Sequence, residues 1–250
     1  MRRAVACLAV LILLVACGRA GRAAGGEPVD LQLVLAADVS RSIDDGEFEL
    51  QRQGYVSALQ DPRVISAIQG GSIGAIAITY VEWAGIGEQK VVVGWTVVRD
   101  GEGAAILADQ IRKAPRSFYG HTSISDAIDF SMQYFEKSGA MSERRVIDVS
   151  GDGTNNSGRA VTSARDDANA KGVIVNGLAI INDNINFGYL AHTHPPGGLP
   201  NYYRENVIGG PGAFLLQVIN FESFADAMVQ KLVTEISAVP QKERKKFAAK

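Results

Sequence analysis

Apolar residues in this chain come as short unbroken runs separated by amphipathic stretches, and the first such run sets the pattern. Residues 31–37 are apolar apart from Gln32, show no helical spacing, and lead straight into Asp38, Ser40 and Ser42. Such a run predicts a strand buried on both faces of a parallel sheet. A helix of about four turns is expected over 47–59, capped at 43–45 and stopped by Asp61-Pro62, with a short helical turn at 64–68. Residues 72–83 and 89–98 read as strands joined by a short glycine-containing turn, an antiparallel hairpin. Helices are expected over 102–112 and 124–137, with a loop at 115–120 leading to His121-Thr122-Ser123. A strand at 145–149 runs into Ser150-Gly151-Asp152-Gly153-Thr154-Asn155-Asn156. A helix over 159–170 and a buried strand over 173–181 follow. The polar, Gly/Pro-rich stretch 182–212 is too long for a simple connection and reads as a functional or embellishing loop. A last strand (213–219), an amphipathic helix (221–236) and a basic solvated tail (241–250) complete the chain. Strands alternate with helices throughout, which predicts one α/β domain over 30–238 with a mostly parallel sheet of about six strands and one antiparallel edge strand, a Rossmann-like three-layer sandwich.

Composition narrows the function classes. The chain has 250 residues, 46% hydrophobic and 21% charged, an ordinary globular balance. The formal charge is −2, and loss of Arg2 and Arg3 with an N-terminal leader takes it to −4. With no basic excess, nucleic acid is not an expected partner. Met1-Arg2-Arg3 followed by an apolar run to Ala16 reads as a signal peptide, residues 1–17, too short for a comfortable membrane span. It closes on Leu14-Val15-Ala16-Cys17, which resembles a bacterial lipobox, so export with a lipid anchor on Cys17 is expected; cleavage near Ala20 or Ala23 is the alternative. Residues 18–29 read as a linker. Cys7 and Cys17 are the two cysteines, so a domain that has lost its leader has no disulfide.

The chemistry gathers where strands end. Asp38-x-Ser40-x-Ser42 offers oxygen donors on alternate residues without nitrogen or sulfur, which suits Mg²⁺ or Ca²⁺ better than zinc. Thr122 and Asp152 follow in two further loops, and ligands of open α/β sheets bind at the carboxyl edge of the strands. The plain structural reading is a polar strand end capping the next helix, and Thr122 alone also fits an ordinary helix N-terminus.

Taken together, Asp38-x-Ser40-x-Ser42, Gly120-x-Thr122 and Asp152-Gly153 resemble the von Willebrand factor A domain and its metal-ion-dependent adhesion site, over roughly residues 30–236. That resemblance implies Mg²⁺ (Mn²⁺ or Ca²⁺ as alternatives) held by Ser40, Ser42 and Thr122, with Asp38 and Asp152 binding directly or through water. It also implies a protein partner that supplies a carboxylate to the metal. Gly54-Tyr55, Tyr80-Val81-Glu82-Trp83, 145–153, 175–178 and 206–214 are similar to a bacterial family of exported A-domain proteins with no assigned activity.

Two other readings stay open. Gly151-Asp152-Gly153-Thr154-Asn155-Asn156 resembles the acidic loop of haloacid-dehalogenase-like phosphatases, with Asp38 as nucleophile. Ser40 then stands where that family has its acid, and Asn156 where its loop ends in Asp. A structural envelope protein with a vestigial metal site is the third. No general base is evident, so a non-enzyme is expected. His192-Thr193-His194, with His121 the remaining histidine, offers half a zinc site, though exposed histidines are the plainer reading. Arg41 either orients an acidic ligand or covers the rim. Trp83 and Trp95 are expected in the core, Tyr202-Tyr203 on a partner-facing loop, and Asp148 in a structural pair with Arg144 or Arg145.

Overall fold

The computed structural model describes residues 26–181 and 190–238. The expected signal peptide, most of the linker and the basic tail lie outside them. Strand β1, Leu31–Asp38, is buried along its whole length. Its odd-numbered leucines face one hydrophobic layer, and Val34 and Ala36 face another, as the two-residue period of a strand requires. Beside it run β2 (Ile76–Trp83), β3 (Gln89–Val98), β4 (Arg145–Gly151), β5 (Val173–Ile180) and β6 (Leu215–Val218), in the order β3-β2-β1-β4-β5-β6. All neighbours are parallel except β2 and β3. The sheet is the mixed, mostly parallel one expected, with β3 as its antiparallel edge.

Helices α1 (Asp45–Leu59), α2 (Pro62–Gln69) and α3 (Gly101–Lys113) cover one face together with α6 (Phe224–Ser237). Helices α4 (Ile124–Tyr134) and α5 (Val161–Ala170) cover the other. A capping box starts α1: Asp44 accepts from the Glu47 amide at 2.8 Å, and Glu47 accepts from the Asp44 amide at 2.9 Å. Helices α1 and α6 approach closely because residue 54 has no side chain. A Cβ there would lie 2.4 Å from Phe224 Cδ1 and 3.2 Å from the Ala225 amide. Gly54→Val is therefore expected to cost about 1–3 kcal/mol of stability through overpacking, read as a lower urea midpoint; an unchanged midpoint would mean the helices part freely.

Several boundaries differ from expectation for local reasons. The second strand begins at Ile76 because the Asp30 carboxylate accepts from the amides of Ile73, Gly74 and Ala75, holding that segment as a turn. The turn expected at 64–68 is the full helix α2, since Asp61 caps it and Pro62 suits its first turn. Helix α4 tightens into a 3₁₀ turn at Phe135–Lys137. The stretch 182–212 is not simply loop. Its described part carries short helices at Leu190–Thr193 and Leu199–Tyr202 and a π turn at Tyr203–Val207, and Leu199, Tyr203 and Val207 are buried against the sheet.

Asp148 is structural, as expected, but its partner is Lys231 rather than Arg144 or Arg145. Lys231 Nζ lies 2.9 Å from Asp148 Oδ1 and 2.6 Å from Glu235 Oε1, all deeply buried. Arg144 donates instead to the carbonyls of Glu235 and Ile236, and Arg145 to that of Lys171. Trp83 is fully buried, and Trp95 is partly buried, stacked on Tyr134 with its indole N–H on the Tyr134 carbonyl at 3.0 Å.

Candidate metal centre

The chain winds from β1 outward to β2 and β3, then returns to β4 on the other side of β1. The carboxyl ends of β1 and β4 therefore flank the crevice where open sheets bind ligands. Asp38 closes β1, and Asp152 follows β4 by one residue. Both are fully buried, and Ser40 and Thr122 are 1% exposed.

The structure brings all five expected residues together. Asp38 Oδ1 accepts from the Ser40 amide at 2.7 Å, folding the chain so that both serine hydroxyls turn inward. Ser40 Oγ and Ser42 Oγ are 3.3 Å apart, and Thr122 Oγ1 donates to Ser40 Oγ at 3.1 Å. Ser42 Oγ donates to Asp152 Oδ1 at 2.7 Å. Among the described residues, Asp38 Oδ2 and Asp152 Oδ2 have no hydrogen-bond partner. Gly151 lets this cluster close, since a Cβ there would meet Tyr203 Oη at 2.7 Å and Asp38 Oδ2 at 2.8 Å.

Burial and the neighbouring Asp152 push the Asp38 carboxyl well above the usual carboxylate range. Burial likewise lifts Asp152 to about 7, against the hydrogen bond from Ser42, with Glu47 adding to the rise. Two acids that share a buried pocket resist joint ionisation unless a cation joins them.

The fit to a divalent cation is good on these observations: three converging hydroxyls and two carboxylates, each with one buried oxygen left unpaired. Among the described residues, no three His, Cys, Asp or Glu side chains gather tightly enough to hold an ion by themselves. An ion here depends on the hydroxyls, as a hard-cation site does.

Sequence reasoning missed the residues that brace these loops. Arg116, its side chain 4% exposed, donates to the carbonyls of Val39, Ser40 and Ile43 at 3.0, 3.0 and 2.8 Å. The buried Arg52–Glu82 pair, 2.7 Å apart, anchors the same region through the Ala114 carbonyl and the Ser117 amide. Asn156 Oδ1 accepts from the Thr122 amide at 2.9 Å, and the Asn156 amide donates to the Thr122 carbonyl at 2.9 Å. The asparagine that ends the acidic loop thus positions the threonine. Arginine and asparagine in loops signal nothing specific until their partners are known.

His192 was also misjudged. His194 is exposed and His121 pairs with Arg41 at 3.2 Å, so the three histidines do not assemble. His192 instead lies over the candidate centre, its Nε2 2.9 Å from Thr122 Oγ1 and its Nδ1 3.0 Å from Thr154 Oγ1. Burial, then Arg41 and His121, depress it to about 4, so it is neutral at physiological pH. Tyr203, expected to face a partner, is fully buried, and Tyr202 accepts from the Asn155 amide at 3.1 Å. A concavity of about 1700 Å³ lies at the opposite end of the sheet beside Gln32, Arg145 and Ile174. The candidate centre is covered rather than open.

This sheet order, with the acidic loops at its central crevice, is that of a von Willebrand factor A-type domain, and solved structures share the fold. Proximal thread matrix protein 1 from the mussel byssus matches with a TM-score of 0.57 at 16% identity, over 85% of this chain and 49% of that one. A structure of the same protein described as having a zinc-occupied MIDAS motif matches with a TM-score of 0.56 at 14% identity, over 83% and 46%. A von Willebrand factor type A protein from Catenulispora acidiphila matches with a TM-score of 0.57 at 12% identity, over 83% and 43%. The chain thus spans about half the length of the matrix protein, and at these identities the likeness is one of fold. The chain belongs to the family described as protein of unknown function (DUF1194), whose model matches residues 28–240. No curated protein matches it.

Proposed function

We propose that this protein is an exported adhesion-type A domain that binds a divalent cation through Asp38, Ser40, Ser42, Thr122 and Asp152, and through that ion a carboxylate-bearing protein partner. The observation that carries the reading is the row of three hydroxyls beside two buried carboxylates, each with an oxygen that has no partner among the described residues. The hydroxyls are neutral, so the negative charge of these five donors comes from the two acids, and a partner's carboxylate is the natural further ligand. Mg²⁺ or Mn²⁺ suits the oxygen donors; the zinc reported for the mussel protein's motif supports a divalent ion in general. Export rests on the leader sequence. Among the described residues, no helix is long and apolar enough to cross a membrane.

Titration calorimetry with Mg²⁺, Mn²⁺ and Zn²⁺ tests the site. Saturable binding that Asp38→Ala removes supports it, and binding that survives the substitution overturns it. Ion uptake also requires Asp152 to be ionised, and its carboxyl stands at about 7 in the ion-free protein. Affinity is therefore expected to rise between about pH 6 and pH 8, by up to about tenfold per unit. A flat profile would remove Asp152 from the ligand set.

A further inference from the structure

His192 stands where an ion ligand would stand. Ligands in adjacent positions around an octahedral ion, each about 2.1 Å from it, are separated by about 3.0 Å. The separations run 3.3 Å from Ser42 Oγ to Ser40 Oγ, 3.1 Å on to Thr122 Oγ1, and 2.9 Å on to His192 Nε2. The imidazole thus continues the row of hydroxyls by one more step of the same length. Its outer nitrogen is tied down as well, with Nδ1 3.0 Å from Thr154 Oγ1, and the Thr154 amide donates to the His192 carbonyl at 3.2 Å. A metal-binding histidine is held in this way, by an outer-nitrogen hydrogen bond that fixes ring orientation and tautomer. Because Thr122 Oγ1 donates to Ser40 Oγ, Nε2 carries the ring proton in the ion-free protein; with the proton on Nδ1 instead, donated to Thr154 Oγ1, the Nε2 lone pair is free for an ion. Space is reserved for the ring: a Cβ on Gly153 would fall 2.1 Å from His192 Nε2.

We propose that His192 Nε2 is a protein ligand of the ion, completing the hydroxyl row with a nitrogen and turning the site's preference from Mg²⁺ towards Zn²⁺. The inference rests on the ion site proposed above. Imidazole nitrogen suits zinc, whereas Mg²⁺ takes oxygen ligands and readily keeps a water in place of a side chain. A partner's carboxylate would then have to displace His192 or bind beside it.

The test compares the purified protein with His192→Ala, using Mg²⁺ and Zn²⁺ alone as probes, with Asp38→Ala as the control for the site. His192→Ala is expected to weaken Zn²⁺ at least tenfold and to change Mg²⁺ by less than about threefold. Pulsed electron paramagnetic resonance of the wild type loaded with Cu²⁺, which favours imidazole as Zn²⁺ does, gives a readout that needs no variant to fold. It should show nitrogen coupling from directly bound histidine, absent in His192→Ala. Unchanged zinc affinity in His192→Ala, or no nitrogen coupling in the wild type, overturns the inference. Ion binding that Asp38→Ala still removes would leave the proposed site standing in that case. If the wild type binds none of these ions, the site and the inference fall together.

Discussion

Replacing Lys231 by methionine is expected to destabilise the protein by about 3–5 kcal/mol, because it removes the buried ammonium that bridges two interior carboxylates. Lys231 is fully buried on α6, 2.9 Å from Asp148 on the central strand β4 and 2.6 Å from Glu235 one helical turn away. Burial alone would lower the Lys231 ammonium, but Asp148 and Glu235 outweigh it and hold it above its ordinary value. Burial, then Glu235, lifts Asp148 to about 7 even with the lysine in place. Asn176 adds a hydrogen bond to Glu235 at 2.9 Å and accepts from the Phe214 amide at 3.1 Å, so the cluster ties α6, β4, β5 and the approach to β6 together. The methionine variant has a sign to check. Without the ammonium, the Asp148 carboxyl favours its protonated form still more strongly in the folded state than in the unfolded chain. An acid whose folded pKa is raised takes stability away as pH climbs from its unfolded value towards the folded one. The loss should therefore be larger near pH 8 than near pH 5 when read from denaturant midpoints. Replacing all three residues by apolar ones of similar size should recover most of the loss, since a buried ion cluster and a packed apolar core are often comparable in stability. Equal midpoints for wild type and the methionine variant at pH 8 would refute this account.

Asp38→Asn is expected to do opposite things to binding and to stability. The asparagine keeps an oxygen for the Ser40 amide, 2.7 Å from Asp38 Oδ1 in the wild type, and removes one of the two buried charges. Affinity for Mg²⁺ or Zn²⁺ should fall beyond the roughly 10–100-fold seen when an outer-shell partner is lost. The ion-free protein should become more stable at pH 7, by about 1–3 kcal/mol. The physical reason is that burial and Asp152 hold the Asp38 carboxyl well above 3.8, so its ionised form burdens the ion-free fold. Folding stability of the ion-free wild type should accordingly decline as pH rises above about 4, less steeply in the variant. Saturating ion should reverse the order of the two melting temperatures. A variant less stable than wild type without ion would show that Asp38 is a structural residue first.

The fold was legible in the sequence because its signal is local. The unbroken apolar run before Asp38 marks a strand covered on both faces, and the short turn between residues 83 and 89 marks the antiparallel pair. Asp38, Ser40, Ser42 and Asp152 could be chosen for the same reason: each follows a strand-like run, and the carboxyl edge of a parallel sheet collects such loops. Thr122, which follows a loop, is singled out by the resemblance of the three motifs taken together. What failed depended on long-range partners. Asp148 announced that a buried carboxylate needed a cation, but Lys231 lies far along the chain and looks like any other lysine on an amphipathic helix. Arg116 and Asn156 brace the metal loops through backbone contacts that no spacing encodes. Tyr203 and His192 sat in a polar, Gly/Pro-rich stretch that suggests exposure. The π turn instead buries the tyrosine, and the short helix at Leu190–Thr193 carries the imidazole to Thr122. The sequence by itself determined the sheet, its sense and the oxygen-rich loops, because strand burial and loop composition are read over a few neighbouring residues. Only the tertiary structure decided which cation neutralises the core and which side chain covers the candidate centre, because those contacts join residues that the chain keeps far apart.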